Sequence, residues 1–222
     1  IQFINCNMIS ETELDLGYRF HLQNTSHLLI QNCIFQNNLW NIFCEDCLDL
    51  IIQGSSFIST SYGQIGRAFI GRSSNQIHIV NCHFELTAGD ISLYNCANVT
   101  ISGNTHNTED MDKITQGSGI ILHTSCDFIN IINNSIFWFY MGIDVSNSSN
   151  ILISNNKISH NEFGLILSNP NKNVSIIENQ FFYNKHSNGK FSKNEITLHD
   201  ITITGNSYKN YYIYHYWWVL IL

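Results

Sequence analysis

Proline is almost missing from this chain: Pro170 stands alone among 222 residues. That excludes a Pro-rich linker or a polyproline segment. Charge is also scarce, at 12% of residues, against roughly a quarter in ordinary domains. Basic charge is scarcer still. Ten Lys and Arg face seventeen Asp and Glu, leaving a net charge of −7. A nucleic-acid backbone as main partner would call for a basic face, so nucleic acid is excluded as partner. No run reaches the about 18 apolar residues of a membrane-spanning helix, so no transmembrane span is expected. No stretch carries the 3.6-residue period of an amphipathic helix. The seven cysteines are an odd number, and Cys44-x-x-Cys47 has no second pair or His-x-x-x-His to complete a metal set. Cys6, Cys33 and Cys82 share one repeat position, and Cys47, Cys96 and Cys126 another, as inward-facing small apolar side chains would. The first residue is Ile1 rather than Met, which reads as a mature form or a fragment.

What the chain does have is a repeat. Ile-x-(Asn/Gly)-(Asn/Cys)-x-(aromatic or aliphatic) recurs from Phe3-Ile4-Asn5-Cys6 through Ile30-Gln31-Asn32-Cys33, Ile153-Ser154-Asn155-Asn156 and Ile203-Thr204-Gly205-Asn206. Its fourth position falls at 6, 33, 55, 82, 104, 134, 156, 179 and 206. Steps of 22 to 30 residues mean a solenoid. A second apolar strand precedes each motif, as in Phe20-His21-Leu22, Ile91-Ser92-Leu93 and Ile143-Asp144-Val145, often after Gly. Strands this short bury a core only by stacking coil on coil in parallel. The recurrent Asn suits tight left-handed turns and can hydrogen-bond up a ladder.

The run Gly142 to Ile158 resembles the right-handed parallel β-helix repeat of pectate-lyase-like proteins, and the likeness extends from Phe3 to about Tyr214. The resemblance implies an all-β, right-handed, single-stranded parallel β-helix of about eight or nine coils of 22–30 residues. Residues 1–210 form the helix, and the aromatic and apolar segment 211–222 is expected to be an end cap or a contact segment. That fold carries polysaccharide lyases, glycoside hydrolases, epimerases, tailspikes and periplasmic maturation proteins, so the activity has to come from a site. The sharper signatures are missing: no Asn-Thr-Asp with Asp-Asp and Gly-His-Gly, no Arg-x-Pro-x-x-Arg, no Asp-Pro-His.

The longer steps place extra residues at 9–18, 58–67, 105–118 and 184–194, expected on one edge of the solenoid. Residues 106–113 hold the densest charge, and a solvated loop is the ordinary reading of such a run. The sharper reading takes Glu109, Asp110 and Asp112 as ligands for Ca²⁺ and Asp110, Asp112 and Lys113 as acid–base groups. Tyr62, Arg67, Arg72, His106 and His123 would then bind an acidic sugar. Asp144 sits mid-strand where most coils are uncharged, and is a further catalytic candidate. Phe43, Ile70, Ile121 and Ile166 align as an outward apolar stripe suited to a protein partner or a second copy. Five Asn-x-Ser/Thr sequons occur, at Asn24, Asn98, Asn133, Asn147 and Asn173, most of them at repeat turns.

Two functional readings follow. In one, a secreted, periplasmic or cell-surface protein binds or processes a polysaccharide; a uronate polymer, with lyase or glycosidase chemistry, is what the resemblance implies. In the other, a non-catalytic adhesion or maturation module docks a protein partner.

Overall fold

A computed structural model describes residues 1–9, 18–36, 40–58, 67–85, 89–107, 117–168, 170–191 and 201–209. Among these residues all regular structure is β. The strands form three parallel sheets of nine, nine and eight strands, each strand pairing with its counterparts one coil before and after. This is the right-handed parallel β-helix expected, with strands longer than expected in two sheets. In the first and third sheets they run six residues in most coils, as in Asn75–Val80 and Gly89–Tyr94; in the second they run three, as in His83–Glu85.

Alternation explains the core. In the first sheet Ile77 and Ile79 pair with Leu50 and Ile52 on one side and Val99 and Ile101 on the other, all fully buried. In the third, Ile91 and Leu93 align with Ile120 and Leu122. Branched side chains suit such a pleated, closely packed surface. The second sheet contributes one inward residue per coil. Phe35, Phe57 and Phe84 stack with centroids 4.7 and 5.0 Å apart and planes within 7°.

The corners are the demanding part. Among the described residues, twenty-three non-glycine residues take positive φ, and the five sequon asparagines are among them, at φ 50–56°. Their recurrence is therefore explained by the left-handed backbone they occupy. Between the first and second sheets, a buried side chain caps each turn. Asn156 accepts from the Asn134 backbone N–H at 2.9 Å and its amide at 3.0 Å, and donates to the Ile131 carbonyl at 2.8 Å and the Asn179 side-chain oxygen at 3.0 Å. The same ladder runs from Asn104 to Asn206. Further back Ser55 and Cys33 occupy its place, Cys33 N–H donating to Ser55 Oγ at 3.1 Å. Cys33 in turn follows Cys6 on the adjacent coil.

The extra residues are distributed differently from the expectation of one edge. Runs at 10–17, 59–66 and 108–116 do connect the second sheet to the third. The fourth does not. Residues 184–194 include the third-sheet strand Ser187–Phe191, which takes its place because Phe163 pairs with Ser187. The long connection there is 192–200, between the third sheet and the first. Segment 211–222 lies outside the described residues.

Asn156→Ala should leave the Asn134 N–H and the Ile131 carbonyl buried without partners, at about 1–3 kcal/mol each. We expect a loss of at least about 2 kcal/mol in chemical unfolding. Asn206→Ala, at the more exposed end of the ladder, should cost less than half as much. Equal losses at the two positions would mean that the ladder does not carry the corners.

Candidate functional site

On the outer side of the third sheet, in-register pairing brings Arg72, Tyr94 and His123 into one row across three successive coils. Neighbouring strands are about 4.8 Å apart, so these side chains stand shoulder to shoulder. Arg72 is exposed, with its guanidinium carbon 5.3 Å from the Phe43 ring centre and 5.7 Å from that of Tyr94. Tyr94 and His123 meet edge to face at 6.2 Å. His123 Nε2 lies 3.0 Å from Asp144 Oδ2 one coil further on. Arg67, at the start of its strand, donates to Ser92 Oγ and, at 3.1 Å, to the Tyr94 hydroxyl oxygen. Four residues singled out in the sequence, Arg67, Arg72, His123 and Asp144, thus converge around Tyr94, which was not.

Burial is graded across this group. The His123 side chain is 37% exposed and that of Asp144 10%. Asp144 therefore faces outward, as expected from its strand position, but behind His123 rather than open to solvent. Its Oδ1 is buried and has no hydrogen-bond partner among the described residues. A carboxylate that holds Nε2 fixes the imidazole's orientation and leaves Nδ1 as the basic nitrogen.

The neighbouring apolar row departs from expectation. Phe43, Ile70 and Ile121 do share one outward row of the third sheet, with Ile166 further along. They are only 5, 5 and 9% exposed, so they do not form the open stripe that a partner would need.

His106 also departs. It was expected in a loop binding substrate, yet it belongs to the strand Thr105–Asn107 and is fully buried. Its register partner is Phe84, and it continues the phenylalanine stack at 4.7 Å and 7°. Nδ1 lies 2.7 Å from Asp90 Oδ2, and both side chains are sealed from solvent. Burial pushes Asp90 well above the usual carboxylate range and holds His106 down to about 3, so it disfavours the charged form of each. His106 Nε2 is buried without a partner among the described residues. Period-two reading could have placed this residue inward; its polar character argued the wrong way. Tyr62, Glu109, Asp110, Asp112 and Lys113 lie outside the described residues.

A family model described as "NosD: Periplasmic copper-binding protein (NosD)" matches residues 4–215. No curated protein matches. Solved structures share the fold at low identity. An exopolygalacturonase from Thermotoga maritima aligns at TM-score 0.60 and 10% identity over 83% of this chain and 53% of its own. PfbA, a surface adhesin of Streptococcus pneumoniae, aligns at 0.67 and 18%, over 84% and 58%. The periplasmic alginate epimerase AlgG aligns at 0.60 and 15%, over 82% and 48%. The chain spans about half the length of each.

Copper in the family description prompts a test of the donors. Among the described residues no three His, Cys, Asp or Glu side chains gather as a metal set. Cys33, Cys82 and Cys126 donate their thiols to backbone carbonyls of the preceding coil. Burial pushes Cys82 up to about 11 and Cys96 to about 12, holding them as thiols. Cys44 and Cys47 are hydrogen-bonded to each other, which lowers Cys47 to about 6 and raises Cys44. They are 0% and 2% exposed, a pair of sulfurs inside the core. These described residues do not fit a copper centre. Nor does any helix among them have the length and apolarity to cross a membrane.

The Asp90–His106 pair sets a pH dependence. The folded pKa of His106 lies below its unfolded value of about 6.5. Its contribution is therefore intact above that value and is lost as pH falls toward 3. Asp90, raised on folding, costs stability as pH climbs above about 3.9. Asp90→Ala with His106→Phe restores the pattern of Ala68 and Phe84 in the neighbouring coil. The double variant should remove the acid-side loss and unfold no more easily than wild type at pH 7. Each single variant leaves one buried polar partner and should cost about 1–3 kcal/mol. An unchanged acid limb of the stability–pH profile in the double variant would assign that limb to other groups.

Proposed function

We propose that this chain, which belongs to the NosD family, works outside the cytoplasm, where it binds an acidic polysaccharide along its third sheet and acts on uronate units by proton abstraction. One observation carries the reading: the outward row Arg72, Tyr94, His123 with Asp144 behind the histidine. Its likeness to polysaccharide-acting β-helix proteins supports the polymer class, at the level of fold alone.

The chemistry follows from those residue types. A proton on the carbon next to a carboxylate becomes removable when the carboxylate is neutralised. Arg72, exposed beside Tyr94, supplies a guanidinium fork for that carboxylate. His123, oriented by Asp144, takes the proton through Nδ1. The C–H electrons then form a carbon–carbon double bond as the bond to the glycosidic oxygen breaks, and that oxygen takes a proton. Tyr94, polarised by Arg67, is placed to give it. If the glycosidic bond holds, the same carbanion is reprotonated and the product is the epimer. Hydrolysis needs two carboxylates about 5–9.5 Å apart; among the described residues Glu45, at the end of the Arg72 row, stands four strands from Asp144, roughly 19 Å, so that pair does not supply it. Glu109, Asp110, Asp112 and Lys113, with Tyr62, are proposed to supply Ca²⁺ ligands and further sugar contacts from the adjoining connections.

Incubation with alginate and polygalacturonate should give unsaturated chain ends, or deuterium uptake at the carbon bearing the carboxylate. His123→Ala should lower the rate by about 10²–10⁴-fold, and Asp144→Asn should lower it through a misoriented imidazole. Neither product from any uronate polymer would rule out the chemistry and leave a binding module.

A further inference from the structure

A second surface lies at the corner between the second and third sheets. In three successive coils the residue right after the second-sheet strand is aromatic and left-handed: Trp138 at φ 70°, His160 at 58° and Tyr183 at 58°. Such φ values disfavour large side chains and suit Asn or Gly. The corner between the first and second sheets shows the cheaper solution, with Asn133, Asn155 and Gly205 at similar φ. The rings are kept where the backbone would rather have an amide or nothing, a pattern that gathers at ligand clamps.

The three rings form a half-buried ridge. Trp138 and His160 have centroids 4.4 Å apart, and His160 and Tyr183 5.3 Å. Phe182 adds a fourth ring beside Tyr183 at 5.9 Å. Partial burial, then the nearby Lys157, lower the His160 pKa, so its ring is neutral near pH 7. Lys157 Nζ sits 5.2 Å from the Phe182 ring and Lys209 Nζ 5.3 Å from that of Tyr183. Lys185 and His186, one row over, both pair with Glu162. No carboxylate lies within ion-pair distance of Lys157 or Lys209 among the described residues. In a chain of net charge −7, this is an aromatic strip edged with unbalanced positive charge.

We propose that the Trp138–His160–Tyr183 ridge, with Lys157 and Lys209, is a binding platform for a linear anionic glycan, separate from the Arg72–Tyr94–His123 row. Rings repeating every coil, about 4.8 Å apart, match the length of one sugar unit. The C–H faces of pyranoses lie on the rings while their carboxylates meet the ammonium groups. Single-stranded nucleic acid would also stack on such rings, but the acidic chain repels its phosphates. The ridge begins at Trp138, three residues before the strand Met141–Ser146 that carries Asp144, so a bound polymer continues from it toward that strand. The inference rests on the proposed acidic polymer but not on its turnover.

The test uses affinity electrophoresis in alginate or polygalacturonate gels, on a His123→Ala background that removes turnover. Trp138→Asn and Tyr183→Asn install the residue this backbone prefers. They should preserve or raise the unfolding temperature while weakening binding about tenfold each. Lys157→Ala with Lys209→Ala should weaken binding at low salt and flatten its salt dependence. Binding without turnover in the unmutated chain would sink the lyase chemistry and keep the platform. Unchanged binding in both Asn variants would overturn the platform and leave the reaction standing. A fall in stability matching the fall in binding would make the ridge a structural stack. Binding of single-stranded DNA but of no uronate polymer would overturn it as well.

Discussion

Everything in this molecule depends on one constraint: a buried corner must find its hydrogen-bond partners on the next coil. A tight turn exposes N–H and carbonyl groups that no strand can pair, and burying them alone is costly. The Asn104 to Asn206 ladder answers this by having each side chain cap the backbone of the coil before and accept the same help from the coil after. A comparable set operates at the next corner, where Asn161 caps Phe139 and Asn184 caps Asn161. Those amides, together with the backbone carbonyls of the next coil, explain the glycines nearby. A Cβ on Gly164 would meet Asn184 at 2.9 Å, and one on Gly142 would meet Asn161 at 3.1 Å. Strand pairing, core stacking and outer rows all inherit their register from these corners.

The architecture was legible because a ladder forces the same residue type to return at the same place. Asn134, Asn156, Asn179 and Asn206 announce the coil, and the chain between them follows. The outer face was harder. Arg67, Arg72, His123 and Asp144 could each be suspected from charge in a chain that has little, but their convergence depends on register across strands, and Tyr94 carries no signal until that register is known. His106 shows the opposite failure. A polar residue beside an acidic run reads as exposed, while its place in the phenylalanine stack is dictated by alternation.

The two outer surfaces differ in kind. The row on the third sheet combines a fixed imidazole, a buried carboxylate and guanidinium groups, which the proposed proton abstraction uses. The corner ridge combines rings and ammonium groups, which the proposed platform uses. Both are built from side chains that the core does not need. The core residues of the same coils, such as Ile143, Val145, Leu165 and Leu167, are ordinary apolar fillers.

Parallel, in-register stacking also turns the chain into a ruler. Every outer feature has an address given by its coil and its row, and coils touch only their neighbours. Duplicating or deleting one whole coil beyond Asp144 would lengthen or shorten the aromatic ridge by one graduation, about 4.8 Å, without disturbing the row that holds His123. The length of an outer surface is therefore a quantity that a lineage can change by copying a length of sequence. The period that gives the fold away also sets the increment by which its reach along a polymer can evolve.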